Sequence, residues 1–209
     1  MPTKSRYSAS FTGATSLLHQ EMGRILPIFM AENSVELIAQ EISTNEHQIA
    51  NREQTRKRYL SEMVKRYKAM PRHFWEAYIQ LSEQAQRVAL LCAVMKTYAI
   101  VLELHSTVVM RKWRSVDNTL SRMDMQMGFS DVAASDEFVD SWTDNTKERC
   151  MTAILTFYRE AGLLVGDTLS KVYLSDEEWA MFFRMGEGWF PELCMLESYE
   201  IERIKAIAL

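Results

Sequence analysis

The amino-acid sequence predicts a mainly all-α protein: a helical bundle with helix-turn-helix-like units and one small β-hairpin, or wing. Glycine and proline, which interrupt helices most strongly, number only 7 and 4 among 209 residues. Hydrophobic residues make up 47% of the chain and recur mostly with helical spacing. Only the stretch from Leu163 to Leu174, with the turn Gly166-Asp167, is typical of paired strands.

The first third of the chain predicts four amphipathic helices. Pro27 kinks or ends the first, Ser34 is the expected N-cap of the second, and Pro71 ends the third and opens the fourth. These helices are predicted from Ala14 to Pro27, from Ser34 to Thr44, from Asn51 to Met70 and from Pro71 to Leu81.

The middle of the chain predicts one long helix from Glu83 to about Trp113, capped by Ser82 and apolar on most faces. Charged residues interrupt its apolar run before the ~20 residues that a membrane span needs, which favours a buried core helix. A further helix is predicted from Val116 to Met127, and Gly128–Ser135 is the expected loop or boundary.

The last third predicts a short helix, a turn, a longer helix ended by Gly162, the hairpin and two more helices. The predicted segments are helix Glu137–Trp142, turn Thr143–Asn145, helix Thr146–Ala161, hairpin Leu163–Leu174, a helix from the capping box Ser175/Glu178 through Met185, and a final helix from Pro191 onward. Asn145 or Thr143 is the expected N-cap of helix Thr146–Ala161. We expect regions 1–81, 82–130 and 131–209 to pack as one compact unit.

The charge distribution is uneven although the net charge is −4. Eight basic and two acidic residues give Arg52–Arg72 a balance of +6, and eight acidic and two basic residues give Tyr173–Arg203 a balance of −6. The three cysteines are widely spaced and predict neither disulfides nor a zinc site. Together with a polar N-terminus that lacks a signal-peptide pattern, they predict a soluble cytoplasmic protein.

Catalytic motifs are absent from the sequence. There is no Walker loop, no dinucleotide fingerprint, no nucleophile elbow and no zinc-protease helix. The four histidines are isolated, and they would have to converge with carboxylates in space to bind a metal. We therefore expect a binding protein without catalytic residues, metal ligands, cofactor or small-molecule substrate.

Two basic helices are candidates for nucleic-acid contacts. The first follows a short helix and a connector, so it resembles a helix-turn-helix reader, although Ser43–Ala50 is longer than the usual turn. The alternative is a solvated charged face. Its candidate phosphate ligands are Arg52, Arg56, Lys57, Arg58 and Lys65.

The second candidate has the order of a winged helix-turn-helix: short helix, turn, longer helix and hairpin. Thr146, Lys147 and Arg149 stand at the start of the longer helix, where recognition helices contact DNA. A plain helical hairpin with a surface loop is the alternative.

The opening Tyr7–Gly13, followed by a helix with Leu17-Leu18 and Glu21, resembles the start of the BrxA family, the small A component of bacterial BREX phage-defence systems. The resemblance implies an all-helical, non-enzymatic cytoplasmic protein that acts with other BREX proteins. Some relatives are labelled as inner membrane proteins, but the charged residues within Val88–Met110 argue against membrane insertion of this chain. It also implies nucleic-acid binding, through helix-turn-helix-like parts or as an RNA-binding antitermination-like factor.

The leading hypothesis is an accessory protein of phage defence that binds double-stranded DNA, with RNA as an alternative ligand. The second hypothesis is a protein-protein scaffold within the defence complex. Its acidic C-terminal region would meet a basic partner, or its aromatic-rich end would pack on another subunit. An enzyme is the third class, and it would require histidines and carboxylates to converge in a pocket.

Overall fold

The computed structural model describes residues 5–209; the first residues of region 1–81 and of the predicted polar N-terminus lie outside this range. It confirms a mainly all-α fold with one small hairpin. A 3-10 turn, Ser10–Gly13, precedes the helices. The helices of the first half are α1 His19–Met30, α2 Ser34–Thr44, α3 Glu53–Ala69, α4 Arg72–Tyr78, α5 Glu83–Thr97, α6 Ala99–Leu104 and α7 Met110–Trp113.

The second half contains the hairpin and six further helices within the described residues. These elements are α8 Arg122–Ser135, α9 Glu137–Asp140, α10 Asp144–Ala161, β1 Leu164–Val165, β2 Thr168–Leu169, α11 Asp176–Arg184, α12 Trp189–Leu193 and α13 Ser198–Ala208. The strands are antiparallel, with Leu164 opposite Leu169.

Helix α5 lies at the centre of the bundle. It contacts α1, α3 and α10, and every residue from Val88 to Met95 is buried. Its start matches the prediction, because the Ser82 side chain accepts a hydrogen bond from the Ala85 amide. Buried apolar side chains from both halves of the chain join in one continuous core.

The single long helix predicted from Glu83 to Trp113 is wrong. The chain breaks at Tyr98, whose backbone is extended, and the helical segments on either side are bent by 108°. A π-helical turn, His105–Val109, then joins α6 to α7. Among residues 5–209, only this bent pair taken together has the length and composition of a membrane span, and no single helix does.

The predicted helix Val116–Met127 and the predicted loop Gly128–Ser135 are also wrong. Helix α8 starts only at Arg122, behind a capping box in which Ser121 and Asp124 satisfy each other's backbone amides. The residues before Ser121 run beside the hairpin, where the Leu120 amide donates to the Asp167 carbonyl at 2.7 Å. The apolar spacing was read correctly as helix, but the capping signal that fixes its start was missed.

Gly128 lies in the middle of α8 because the helix passes very close to the π-helical turn. A Cβ at this position would overlap the Cγ2 atom of buried Val108. We expect Gly128→Ala to lower the free energy of unfolding by about 1–3 kcal/mol through overpacking, despite alanine's higher helix propensity. Urea unfolding checks this. Gly23→Ala in α1, where a Cβ meets nothing within 4 Å, is the control and should not destabilise the protein.

Smaller differences concern element ends. Helix α1 starts at His19 rather than Ala14, Pro27 lies inside it without ending it, and the N-cap of α2 is Asn33 rather than Ser34. The strands are shorter than the predicted hairpin region. The predicted last helix is two helices, α12 and α13, separated where Met195 adopts a positive φ.

Predicted end signals are confirmed around α10 and α11. The Thr143 side chain caps α10, and Gly162 ends it with a φ of +80°. The capping box of Ser175 and Glu178 opens α11.

Candidate nucleic-acid interface

The 3-10 turn Ser10–Gly13 lies between α3 and α10 and contacts both. Phe11 anchors it from inside: this fully buried ring lies 5.1 Å from the ring of Tyr98 and 6.1 Å from that of Phe157. Residue spacing does not predict that Phe11 is buried between these rings, because its contacts are with residues far along the chain.

Two charged side chains fix the segment that follows the turn. Fully buried Arg66 on α3 donates to the carbonyls of Ser16 and Leu17, the latter at 2.8 Å. Glu160 on α10 accepts from the Leu17 amide at 2.6 Å. The turn and its flank are therefore held by both helices that carry the predicted basic residues.

Lys65 joins α3 to the turn. Its ammonium donates to the Ser10 hydroxyl at 3.1 Å and to the Glu62 carboxylate at 2.5 Å. The second oxygen of Glu62 accepts from the Tyr98 hydroxyl, and burial together with this carboxylate raises the pKa of Tyr98. Lys65 is half-buried, so one side of its ammonium faces the groove beside the turn.

A groove of about 400 Å³ runs between α3 and the turn. Lys57, Arg58 and Lys65 supply its cations. Arg58 has no carboxylate partner within residues 5–209 and donates to the Thr55 hydroxyl at 3.4 Å, whereas Lys57 forms an exposed pair with Glu53 at 2.6 Å. The groove is lined by Ser10, Gly13, Gln54, Lys57, Arg58, Ser61, Glu62 and Lys65.

Arg56 does not belong to this surface. It is 7% exposed, and its guanidinium donates to the backbone carbonyls of Ile42, Ala50 and Asn51. Arg56 therefore ties the connector before α3 to the helix. Arg52 is exposed at the N-cap of α3.

The three candidates at the start of α10 are not on one face. Arg149 turns toward the 3-10 turn, where it donates to the Thr12 carbonyl at 3.3 Å. Lys147 lines a different groove, between α8 and α10. Thr146 is engaged in the cap of α10 through its amide and hydroxyl, both directed at Thr143.

No group of three histidine, cysteine or acidic side chains within residues 5–209 is placed to hold a metal ion. The three cysteines are free and buried, as expected for core side chains, and burial raises the pKa of the Cys150 thiol to about 12.

The fold and this surface together define a mainly helical protein with a small hairpin and a basic groove beside a 3-10 turn. A family model, BrxA, matches residues 5–177, and the chain belongs to the BrxA family. Membership supports a role associated with BREX phage defence.

The fold has also been seen in a crystal structure of an uncharacterized protein from Magnetospirillum magneticum. The two chains are 21% identical with a TM-score of 0.71, over 91% of this chain and 98% of the other. At this identity the likeness shows the fold alone. No curated protein matches the chain.

Proposed function

We propose that this chain is a non-enzymatic, cytoplasmic accessory protein of BREX defence that binds double-stranded DNA on the basic surface around the 3-10 turn. One observation carries the proposal. Arg58 and Lys65 on α3 and Arg149 on α10, which are far apart in sequence, surround the same four-residue turn. We call Lys57, Arg58, Lys65 and Arg149 the basic surface.

The chemistry of the basic surface suits a phosphate backbone. A guanidinium group can donate two parallel hydrogen bonds to two oxygens of one phosphate. Neither Arg58 nor Arg149 forms an ion pair with a carboxylate among residues 5–209, so both guanidinium groups can bind an external anion. The hydroxyls of Ser10 and Ser61 add neutral donors in the same groove. Glu62 lowers the net charge of the groove, but it is directed at Lys65 and Tyr98.

This assignment differs from a winged helix-turn-helix contact. A recognition helix would use the exposed start of α10, including Lys147, whereas the basic surface uses only the side of α10 that faces the turn. Contacts made to the backbone alone position a protein on DNA without reading its sequence. We therefore expect affinity that depends strongly on salt and weakly on sequence.

A salt titration of a fluorescein-labelled duplex, followed by anisotropy, tests the proposal. Four phosphate contacts predict that log affinity falls with log salt with a slope of about −3.6. The double variant Arg58→Ala/Arg149→Ala should bind at least about tenfold more weakly and reduce the slope by about 2. Both side chains are exposed, so the variant should fold normally.

Lys147→Ala is the matched control, because it removes one cation from α10 on the side away from the turn. Unchanged affinity for this variant supports the basic surface. A loss with Lys147→Ala but not with the double variant would place the site at the start of α10. Absence of binding at about 50 mM salt would refute the function itself. Duplex RNA of equal length, in the same titration, decides between DNA and the RNA alternative.

A further inference from the structure

Glu62 places a carboxylate in the wall of a groove that is otherwise lined by neutral and basic side chains. The side chain is only 3% exposed, and one of its oxygens lies 2.5 Å from the Lys65 ammonium. Its other oxygen accepts from the Tyr98 hydroxyl, so the carboxylate is held at both oxygens. A carboxylate fixed at this place repels a phosphate that enters the groove.

The positive charge of Lys65 is neutralised within the chain. Lys65 has three N–H donors, of which Ser10 and Glu62 take two, and the third can reach the groove. The neighbouring cation, Arg66, is fully buried, and the charges of Glu62 and Glu160 both act on it. Two carboxylates thus balance two cations, and the network adds a hydrogen-bond donor to the groove but little net charge.

The other ion pair at this groove differs in its freedom to move. Lys57 and Glu53 are both more than half exposed, so water screens their charges and either side chain can turn into solvent. Glu62 has no such freedom, because it is buried and bonded at both oxygens. Its negative charge therefore stays beside Lys65 when a ligand arrives.

We propose that Glu62 limits the affinity of the basic surface for phosphate by cancelling the charge of Lys65. The bonds of an ammonium group are tetrahedral, so a phosphate oxygen on the third donor of Lys65 would lie roughly 4 Å from the Glu62 carboxylate. At this distance the repulsion between two unit charges costs about fivefold in affinity even in water, and more where protein displaces water. Glu62 acts through Lys65, so it is a positioning residue. The inference rests on the proposed phosphate contact and names the residue that limits its strength.

Anisotropy titration of the labelled duplex with the full chain tests this inference. Glu62→Gln keeps the shape of the side chain but removes its charge, so it should bind the duplex at least about fivefold more tightly than the native protein. Glu62→Asp keeps the charge, and its affinity should stay within about twofold of the native value. Glu76→Gln is the control for net charge: it removes an exposed carboxylate paired with Arg72 on α4 and should also change affinity by less than about twofold.

Lys65→Met/Glu62→Gln removes both charges of the pair. Because the pair adds little net charge, this double variant should return to within about threefold of the native affinity. Circular dichroism shows whether each variant is folded, and a gain in affinity cannot result from loss of folding. Glu62→Met, a second uncharged variant that needs no hydrogen bonds, should show the same gain if Glu62→Gln does not fold.

The possible outcomes separate this inference from the proposed function. Equal duplex affinities of Glu62→Gln and the native protein would overturn the inference and leave DNA binding intact. An equal gain in Glu62→Asp would also overturn it, because the shape of the wall rather than its charge would then set the affinity. A double variant as tight as Glu62→Gln would do the same, since Lys65 would contribute nothing to cancel. Absence of duplex binding by all of these proteins at about 50 mM salt would instead refute the proposed function.

Discussion

Replacing Arg66 with alanine is expected to lower the free energy of unfolding by about 3–5 kcal/mol. The guanidinium is fully buried, and burial lowers its pKa because the charged form has lost its hydration. Only its contacts within the protein compensate for this loss. It donates to the carbonyls of Ser16 and Leu17 and lies 5.6 Å from the centre of the Phe157 ring. Alanine would leave these carbonyls without their donor and open a cavity beneath the 3-10 turn.

Urea unfolding followed by circular dichroism measures the effect. Arg66→Met separates its two causes, because methionine fills much of the space but donates no hydrogen bond. We expect Arg66→Met to lower the free energy of unfolding by about 1–3 kcal/mol, because the two carbonyls still lose their donor. Arg58→Ala, an exposed arginine on the same helix, should change stability by less than about 0.5 kcal/mol. Equal unfolding midpoints for native protein and Arg66→Ala would show that the turn is held by other contacts.

The position of Arg66 also links stability to the proposed DNA contact. It touches the segment behind the turn and does not reach the groove, so it is a positioning residue. A folded Arg66→Met variant should bind DNA more weakly while its salt slope stays unchanged, because no phosphate contact has been removed. A reduced slope would instead mean that Arg66 itself meets phosphate.

Local signals in the sequence predicted several element ends correctly. Ser82, Thr143 and Ser175 cap helices as expected, and Gly162 ends α10, because each signal depends on residues within one turn of its own position. The hairpin turn at Gly166-Asp167 is equally local. The fold class followed from these signals together with the apolar spacing.

Tertiary contacts decided what the sequence did not reveal. At the bend, the Tyr98 hydroxyl donates to Glu62, which lies two helices earlier in the chain. A segment that is apolar on most faces gives no local signal of such a bend. The role of the 3-10 turn depends on Phe11 meeting rings from α10 and the bend. Sequence spacing cannot report contacts across such distances.

The residues of the candidate site could be predicted only in part, because the sequence analysis did not distinguish buried from exposed arginines. Charge counting treated all cations of α3 as exposed, yet Arg56 and Arg66 are buried. A signal for this existed: both arginines fall on the same helical stripe as Leu60 and Met63, the side that faces the core. Arginines within an apolar stripe are structural candidates, whereas Arg58, off the stripe, is free to bind.

Acidification is expected to destabilise the protein through His105, in the π-helical turn. Its Nε2 lies 2.8 Å from the Leu193 carbonyl, which only accepts, so Nε2 carries the proton of the neutral ring and Nδ1 accepts from the Tyr158 hydroxyl. Burial lowers the pKa of His105 from 6.5 to about 4. Folding therefore favours the neutral ring.

The direction and size of the effect follow from this lowered pKa. Well above pH 6.5, His105 is neutral in both the folded and the unfolded protein, so it does not lower the free energy of unfolding. As the pH falls toward about 4, the unfolded chain takes up a proton that the folded protein excludes, so stability is lost across this interval. The loss is about 2 kcal/mol at pH 5 and about 3 kcal/mol in full.

Urea unfolding at about pH 7.5 and pH 5 measures the loss, and His105→Gln is the matched variant. The glutamine amide can still donate to the Leu193 carbonyl but does not titrate. Between pH 7.5 and pH 5 the variant should therefore lose about 2 kcal/mol less of its free energy of unfolding than the native protein does. The raised pKa of half-buried Glu160 acts in the opposite direction and is present in both proteins. An identical pH dependence for the two proteins would mean that His105 accepts its proton within the fold, with the Tyr158 hydroxyl turning to accept from Nδ1.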